Sequence, residues 1–148
     1  MAEENEYGKI FEEGGFTLAE LLIVVAIIGV LVAISIPIFT AQLEKAREAT
    51  DEANSRSIYA QLSADVLTEN TTDECPAAKT FTVSKDATSG KYTGTATYVM
   101  TQKTDGLASG GSVTIGGVEI SSDKFTTGTA TITITDDGKA PTITIKKE

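Results

Sequence analysis

Residues 16–39 read FTLAELLIVVAIIGVLVAISIPIF, an almost unbroken apolar run from Phe16 to Phe39 that carries one charge, Glu20. About 20 apolar residues at roughly 1.5 Å rise per residue cross a hydrocarbon layer of about 30 Å, so as a helix this run is long enough to span a bilayer. The small residues Gly14 and Gly15 stand before the run, not after it. A secretory signal peptide has the opposite order: a basic leading region, an apolar stretch of about 7–15 residues, then a small-residue cleavage site. A cut at the glycines would leave the hydrophobic segment on the mature protein.

That order resembles the prepilin signal of the type IV pilin family. The likeness rests on Gly15, then Phe16 as the new amino terminus, then Thr17-Leu18-Ala19-Glu20 and the apolar run, with Pro37 near its end. The resemblance implies cleavage between Gly15 and Phe16 by a prepilin peptidase and N-methylation of Phe16. It also implies assembly through Glu20, Gly29 and Pro37.

Glu20 can be weighed on its own chemistry. A lone carboxylate in lipid or in a protein core needs a partner or a proton. One local solution is a capping box, with Thr17 as N-cap, Glu20 three residues later, and Phe16 and Leu21 spaced as a hydrophobic staple. The helix dipole also favours an acid in the first turn. The pilin resemblance implies a second role, pairing with the free amine of Phe16 on a neighbouring subunit. The two are compatible, and burying such a pair sets register more surely than it adds stability. Pro37 removes a backbone hydrogen bond and predicts a kink or local melting. Gly29 weakens the helix by about 1 kcal/mol relative to Ala but lets another backbone approach closely.

Upstream, residues 1–15 carry five acids and one lysine and are expected to be an unstructured leader, removed on cleavage. Leaders of the resembled family are usually cytoplasmic and often basic. Here the positive-inside rule gives no help in orienting the chain.

Downstream, residues 40–70 lack Gly and Pro and are rich in Ala, Glu, Gln and Leu, which predicts helix. Ala46, Ala49, Ala53, Ala60, Ala64 and Leu67 recur at helical spacing and predict a small apolar face for packing. Glu44, Lys45, Arg47, Glu48, Asp51, Glu52 and Arg56 predict a solvated face, with Arg47–Asp51 and Glu52–Arg56 as i,i+4 pairs. With no breaker after Pro37, both stretches join into one expected helix of about 50 residues, roughly 75 Å long. Asn70-Thr71-Thr72 reads as the helix stop, although it is formally an N-x-T glycosylation acceptor.

Beyond it, residues 71–148 predict a globular head. From Lys79 the pattern has period two, with candidate strands at Thr80–Ser84, Lys91–Gln102, Ser112–Ile115, Val118–Ser121, Thr129–Thr135 and Thr142–Lys146. Ile132, Ile134, Ile143 and Ile145 alternate with threonines, so each strand has an apolar side and a threonine side. Gly116-Gly117 is a two-residue hairpin turn, and Asp136 to Pro141 is a longer connection. The candidate core is Val83, Tyr98, Ile115, Ile120, Ile132 and Ile143. The fold class is therefore α+β: a long N-terminal helix, transmembrane in its first half and amphipathic in its second, packed on a small antiparallel sheet head.

The composition points away from chemistry. The chain has no His and no Trp, and its one cysteine, Cys75, excludes an intramolecular disulfide. Asp136-Asp137-Gly138 lacks the further ligands of a calcium loop. The paired glycines precede no helix that could hold a phosphate, and a serine hydrolase would lack its base. The formal charge is −9, or −5 without the leader, which does not favour nucleic acid.

The expectation is a structural subunit and not an enzyme, without cofactor or metal. The resemblance implies a single-pass precursor in the cytoplasmic membrane that becomes part of an extracellular surface filament. Its partners would be copies of itself, minor pilins, a prepilin peptidase and an assembly platform with an ATPase. Adhesion, motility or aggregation are the roles implied; the alternative is a pseudopilin of a type II secretion or competence DNA-uptake machine.

Overall fold

The computed structural model describes residues 15–71, 74–108 and 110–147. The leader expected over residues 1–15 lies outside them except for Gly15, as does Thr72 of the N-x-T triplet. One long helix, α1 (Leu18–Thr68), is followed by six strands: β1 (Thr80–Lys85), β2 (Tyr92–Val99), β3 (Ser112–Ile115), β4 (Val118–Ser121), β5 (Thr129–Thr135) and β6 (Thr142–Lys146). The fold is α+β, a long helix packed on a small antiparallel sheet of four strands. Contacts divide the chain between Phe39 and Thr40.

In the first unit α1 is apolar on every side. Its large side chains from Phe16 to Phe39 are 48–88% exposed, which no soluble surface of this size sustains without other apolar matter around it. The helix assignment continues through Pro37, so the expected local melting is absent from the single chain. Ser35 Oγ donates to the Leu31 carbonyl at 2.7 Å one turn back, a satisfied polar group within the apolar run.

The second unit is the head. Its sheet has the order β1-β2-β5-β6, all antiparallel, and β3–β4 form a separate hairpin between β2 and β5 in the chain. The register aligns Phe81, Ala96, Ile132 and Ile143 across all four strands, flanked by Val83, Gly94 and Ile134 on one side and Tyr98, Ala130 and Ile145 on the other. These residues make the core face, and Ile58, Leu62 and Val66 of α1 belong to the same buried cluster. Gly94 marks the closest crossing: a Cβ there would stand 2.7 Å from Leu62 Cδ1 and 2.8 Å from Val66 Cγ2. The opposite face of the sheet is threonine, aligned as Thr80, Thr97, Thr131 and Thr144 in one row and Thr82, Thr95, Thr133 and Thr142 in the next. Val113, Ile115, Ile120 and Phe125 extend the core under the hairpin, and Cys75, ahead of β1, is buried as a free thiol.

Four strands have the expected bounds, and β1 runs one residue further, to Lys85. β2 is shorter than expected, because Met100 to Gln102 leave the ladder: the amides of Thr101 and Gln102 donate to Asp51 on α1. Gly116 and Gly117 both have positive φ, as a primed two-residue hairpin turn requires, and the Gly116 position sits against the Tyr59 ring. α1 closes with Glu69 in the left-handed region (φ 57°) and the Asn70 amide donating to the Asp65 carbonyl at 2.9 Å, so the residue before Asn70 takes the strained conformation. Of the expected core, Val83, Tyr98, Ile115, Ile120 and Ile132 are buried, and Ile143 is half-buried.

The expected solvated face divides: Lys45 and Arg56 are exposed and Arg47 and Glu52 half-buried, but its other three acids turn inward, and the expected packing face turns outward. Ala46, Ala49, Ala53, Ala60, Ala64 and Leu67 are exposed, whereas Glu44, Glu48 and Asp51, expected in solvent, are buried with Ser55, Ile58, Leu62, Asp65 and Val66. The buried stripe has the same helical spacing as the alanine stripe but lies on another side. Arg47 pairs with Glu44 at 3.1 Å and not with Asp51, while the Glu52–Arg56 pair forms at 2.5 Å.

Candidate assembly site at the first helical turn

Gly15, Phe16 and Thr17 precede α1 and are exposed. The helix starts as a reciprocal capping box: the Thr17 amide donates to Glu20 Oε2 at 2.8 Å, and the Glu20 amide donates to Thr17 Oγ1 at 3.2 Å. The Thr17 hydroxyl also donates to the same carboxylate oxygen at 2.8 Å. Glu20 is thus held by its own turn and remains exposed. Phe16, Leu21, Ile23 and Val24 line a shallow apolar hollow around it. That arrangement presents a fixed anionic oxygen at the edge of an apolar surface, a geometry that can receive an ammonium group together with its apolar neighbours.

The other expected residues are not part of this turn. Gly29 lies nine residues further, about 14 Å along the axis, and Pro37 seventeen residues further, about 26 Å. Where Gly29 lacks a Cβ the space is open, with nothing among the described residues beyond its own turn of helix within 4 Å. Gly15 likewise has nothing near its missing Cβ.

A second polar cluster went unanticipated. Asp51, fully buried, accepts from the Tyr98 hydroxyl, from the Thr101 amide at 2.8 Å, from the Thr101 hydroxyl at 2.7 Å and from the Gln102 amide at 2.9 Å. Burial pushes the Tyr98 hydroxyl above its ordinary pKa, and the neighbouring Asp51 adds to this. Glu44 accepts from the amides of Lys103 and Thr104, the latter at 2.8 Å, and Glu48 accepts from the Ala108 amide at 2.7 Å. The acids recur at i, i+4 and i+7, but their partners are mostly backbone amides, which leave no mark in a sequence. Among the described residues no group of three or more His, Cys, Asp or Glu is placed to hold a metal ion.

No curated protein and no solved structure matches the chain. With its apolar helix, the chain fits a membrane-anchored precursor. Residues 12–36 match the family model described as the prokaryotic N-terminal methylation motif, so the chain carries the prepilin-type signal of a type IV pilin-like or pseudopilin precursor, which implies processing by prepilin peptidase and assembly into pilus-like polymers.

Proposed function

We propose that the chain is the structural subunit of a type IV pilus filament. Prepilin peptidase cuts between Gly15 and Phe16, Phe16 is N-methylated, and the subunit leaves the cytoplasmic membrane to polymerise on the cell surface, where the fibre serves adhesion, motility or aggregation. Residues 1–15 are the leader, 16–39 the polymerisation segment, 40–70 the amphipathic helix and 71–148 the head. In the fibre each Glu20 meets the amine of Phe16 on a neighbouring copy, Gly29 permits close helix contact, and Pro37 lets the helix adjust. A head-to-tail contact that does not close on itself generates a helical fibre. Lipid is as apolar as the bundle that replaces it, so extraction depends on close packing, on the Glu20 pair and on work by an assembly ATPase.

The observation that carries this reading is Glu20: an exposed carboxylate, already oriented by Thr17, at the start of a helix whose apolar side chains stay exposed among the described residues of the first unit. The test compares Glu20→Ala with Glu20→Gln in cells that make surface fibres. Gln keeps an acceptor for the Thr17 amide and so retains the cap, but it removes the charge. Both variants are expected to accumulate as cleaved, membrane-bound subunit and to give at least about a tenfold lower yield of sheared fibre. Normal fibre from Glu20→Gln would remove the charge pair from the mechanism. N-terminal sequencing of the sheared material is expected to begin at methylated Phe16; an uncut Met1 would overturn the proposal. Long fibres composed chiefly of this chain separate a pilus subunit from a pseudopilin.

A further inference from the structure

The head-facing stripe of α1 changes character partway. Ile58, Leu62 and Val66 are apolar and join the core, with Asp65 beside them bound by Gln61 of the same helix, while Glu44, Glu48, Asp51 and Ser55 are all polar and buried. The earlier half is therefore attached to the head by carboxylates. The amides of Thr101, Gln102, Lys103, Thr104 and Ala108 all donate to Glu44, Glu48 or Asp51. Asp51 uses both oxygens, since the Gln102 amide reaches Oδ2 and the Thr101 hydroxyl reaches Oδ1. A protonated carboxyl turns one of its acceptor oxygens into a donor, and a donor aimed at amide N–H groups is an unmade bond.

We infer that segment 100–108 is an acid-released latch: the carboxylates of Glu44, Glu48 and Asp51 clip it to α1, and protonation of Glu44 starts its release from the helix while the four-stranded sheet and its contact with Ile58, Leu62 and Val66 stay folded. The charged and titratable groups around these acids are Arg47 on the helix, Lys103 on the segment and Tyr98 on β2. Arg47 and Lys103 line one hollow with Glu44, so loss of the Glu44 charge removes the anion paired with Arg47 from a hollow that two basic residues line. Asp105, the remaining acid of the segment, points elsewhere: it binds Lys147 and the Thr127 amide, and so keeps the segment tied to the far side of the head. Burial pushes the Glu44 carboxyl up, but the amides of Thr104 and Lys103, the Arg47 guanidinium and the Thr104 hydroxyl outweigh it and hold the group below its ordinary 4.5. Its contribution is complete above pH 4.5 and fades as pH falls through the lower folded value.

The test follows amide resonances of the full chain in detergent micelles from neutral pH to about pH 3. The amides of Thr101, Gln102, Lys103, Thr104 and Ala108 are expected to shift together and lose exchange protection, while those of Ile132 and Ile134 on β5 hold. Loss of both sets in one step, or protection of the first set to the end of the range, overturns the latch. Glu44→Ala, the substitution least deep in the cluster, removes the acceptor of the Lys103 and Thr104 amides and gives a second reading at neutral pH. It is expected to lower protection at Lys103 and Thr104 by roughly 10- to 100-fold without change at Ile132. Unchanged protection at Lys103 and Thr104 in that variant overturns the proposal as well.

Discussion

Two carboxylates on the same helix are satisfied in opposite ways. Glu20 takes its hydrogen bonds from Thr17, within its own first turn, and stays exposed among apolar side chains. Asp51 takes its bonds from β2 and the segment after it, residues 47 to 51 positions away in the chain, and is fully buried. Local satisfaction leaves a group at the surface with capacity for another partner. Tertiary satisfaction uses that capacity up and turns the acid into a structural joint. The same side-chain chemistry thus closes a helix turn and stays in the open in one place and closes the head in the other.

The comparison breaks most readily at Asp51. Asp51→Ala leaves the Tyr98 hydroxyl and the Gln102 amide, both buried, and the partly buried Thr101 amide without their acceptor. Stranding neutral donors of this kind costs about 1–3 kcal/mol, and the thermal midpoint of the head is expected to fall by roughly 5–20 °C. Calorimetry of the full chain in detergent measures it. A fall comparable to that of a surface substitution would show that the joint is dispensable and that apolar packing alone holds the helix.

How legible this was in the sequence differs by element. The strands announce themselves, because Ile alternating with Thr over Thr129–Thr135 and Thr142–Lys146 admits one half-buried register, and Gly116-Gly117 fixes the hairpin between β3 and β4. The capping box is legible as well, since Thr17 and Glu20 are local partners at a fixed offset. The buried helix face is not. Alanines at helical spacing mimic an apolar stripe, yet each has little area to bury, and the stripe that enters the head begins with Glu44, Glu48 and Asp51. Its partners are amides of the loop after β2 and, at Thr101 and Gln102, of a ladder that the sequence extends to Gln102, and neither side of that exchange shows until both are in place.

The corrected face sharpens into a smaller prediction. Ala53 is exposed, so Ala53→Gln is expected to change head stability by no more than about 0.5 kcal/mol, as surface substitutions do. A loss of about 2 kcal/mol or more in the same melting experiment would return the alanine stripe to the interior and reverse the assignment of faces.

The smallest expected effect lies at an acid intermediate between the two. Asp105 joins distant parts of the head, as Asp51 does, but its partner Lys147 is 64% exposed. The Lys147 ammonium, with the amide and hydroxyl of Thr127, holds the Asp105 carboxyl down to about 2, from an ordinary 3.8. Because the folded value is depressed, the stabilisation is complete above pH 3.8 and is lost as pH falls from there towards about 2. Water and salt screen an exposed pair, so Lys147→Ala is expected to leave the melting temperature at neutral pH nearly unchanged. Its signature is a titration: the Asp105 carboxyl resonance should move its midpoint upward in Lys147→Ala, only part of the way to 3.8 because Thr127 still donates, and high salt should shift the unmodified chain in the same direction. A midpoint indifferent to both changes would mean that Thr127 alone sets the Asp105 ionisation, and that this acid, like Glu20, has capacity for a partner outside the chain.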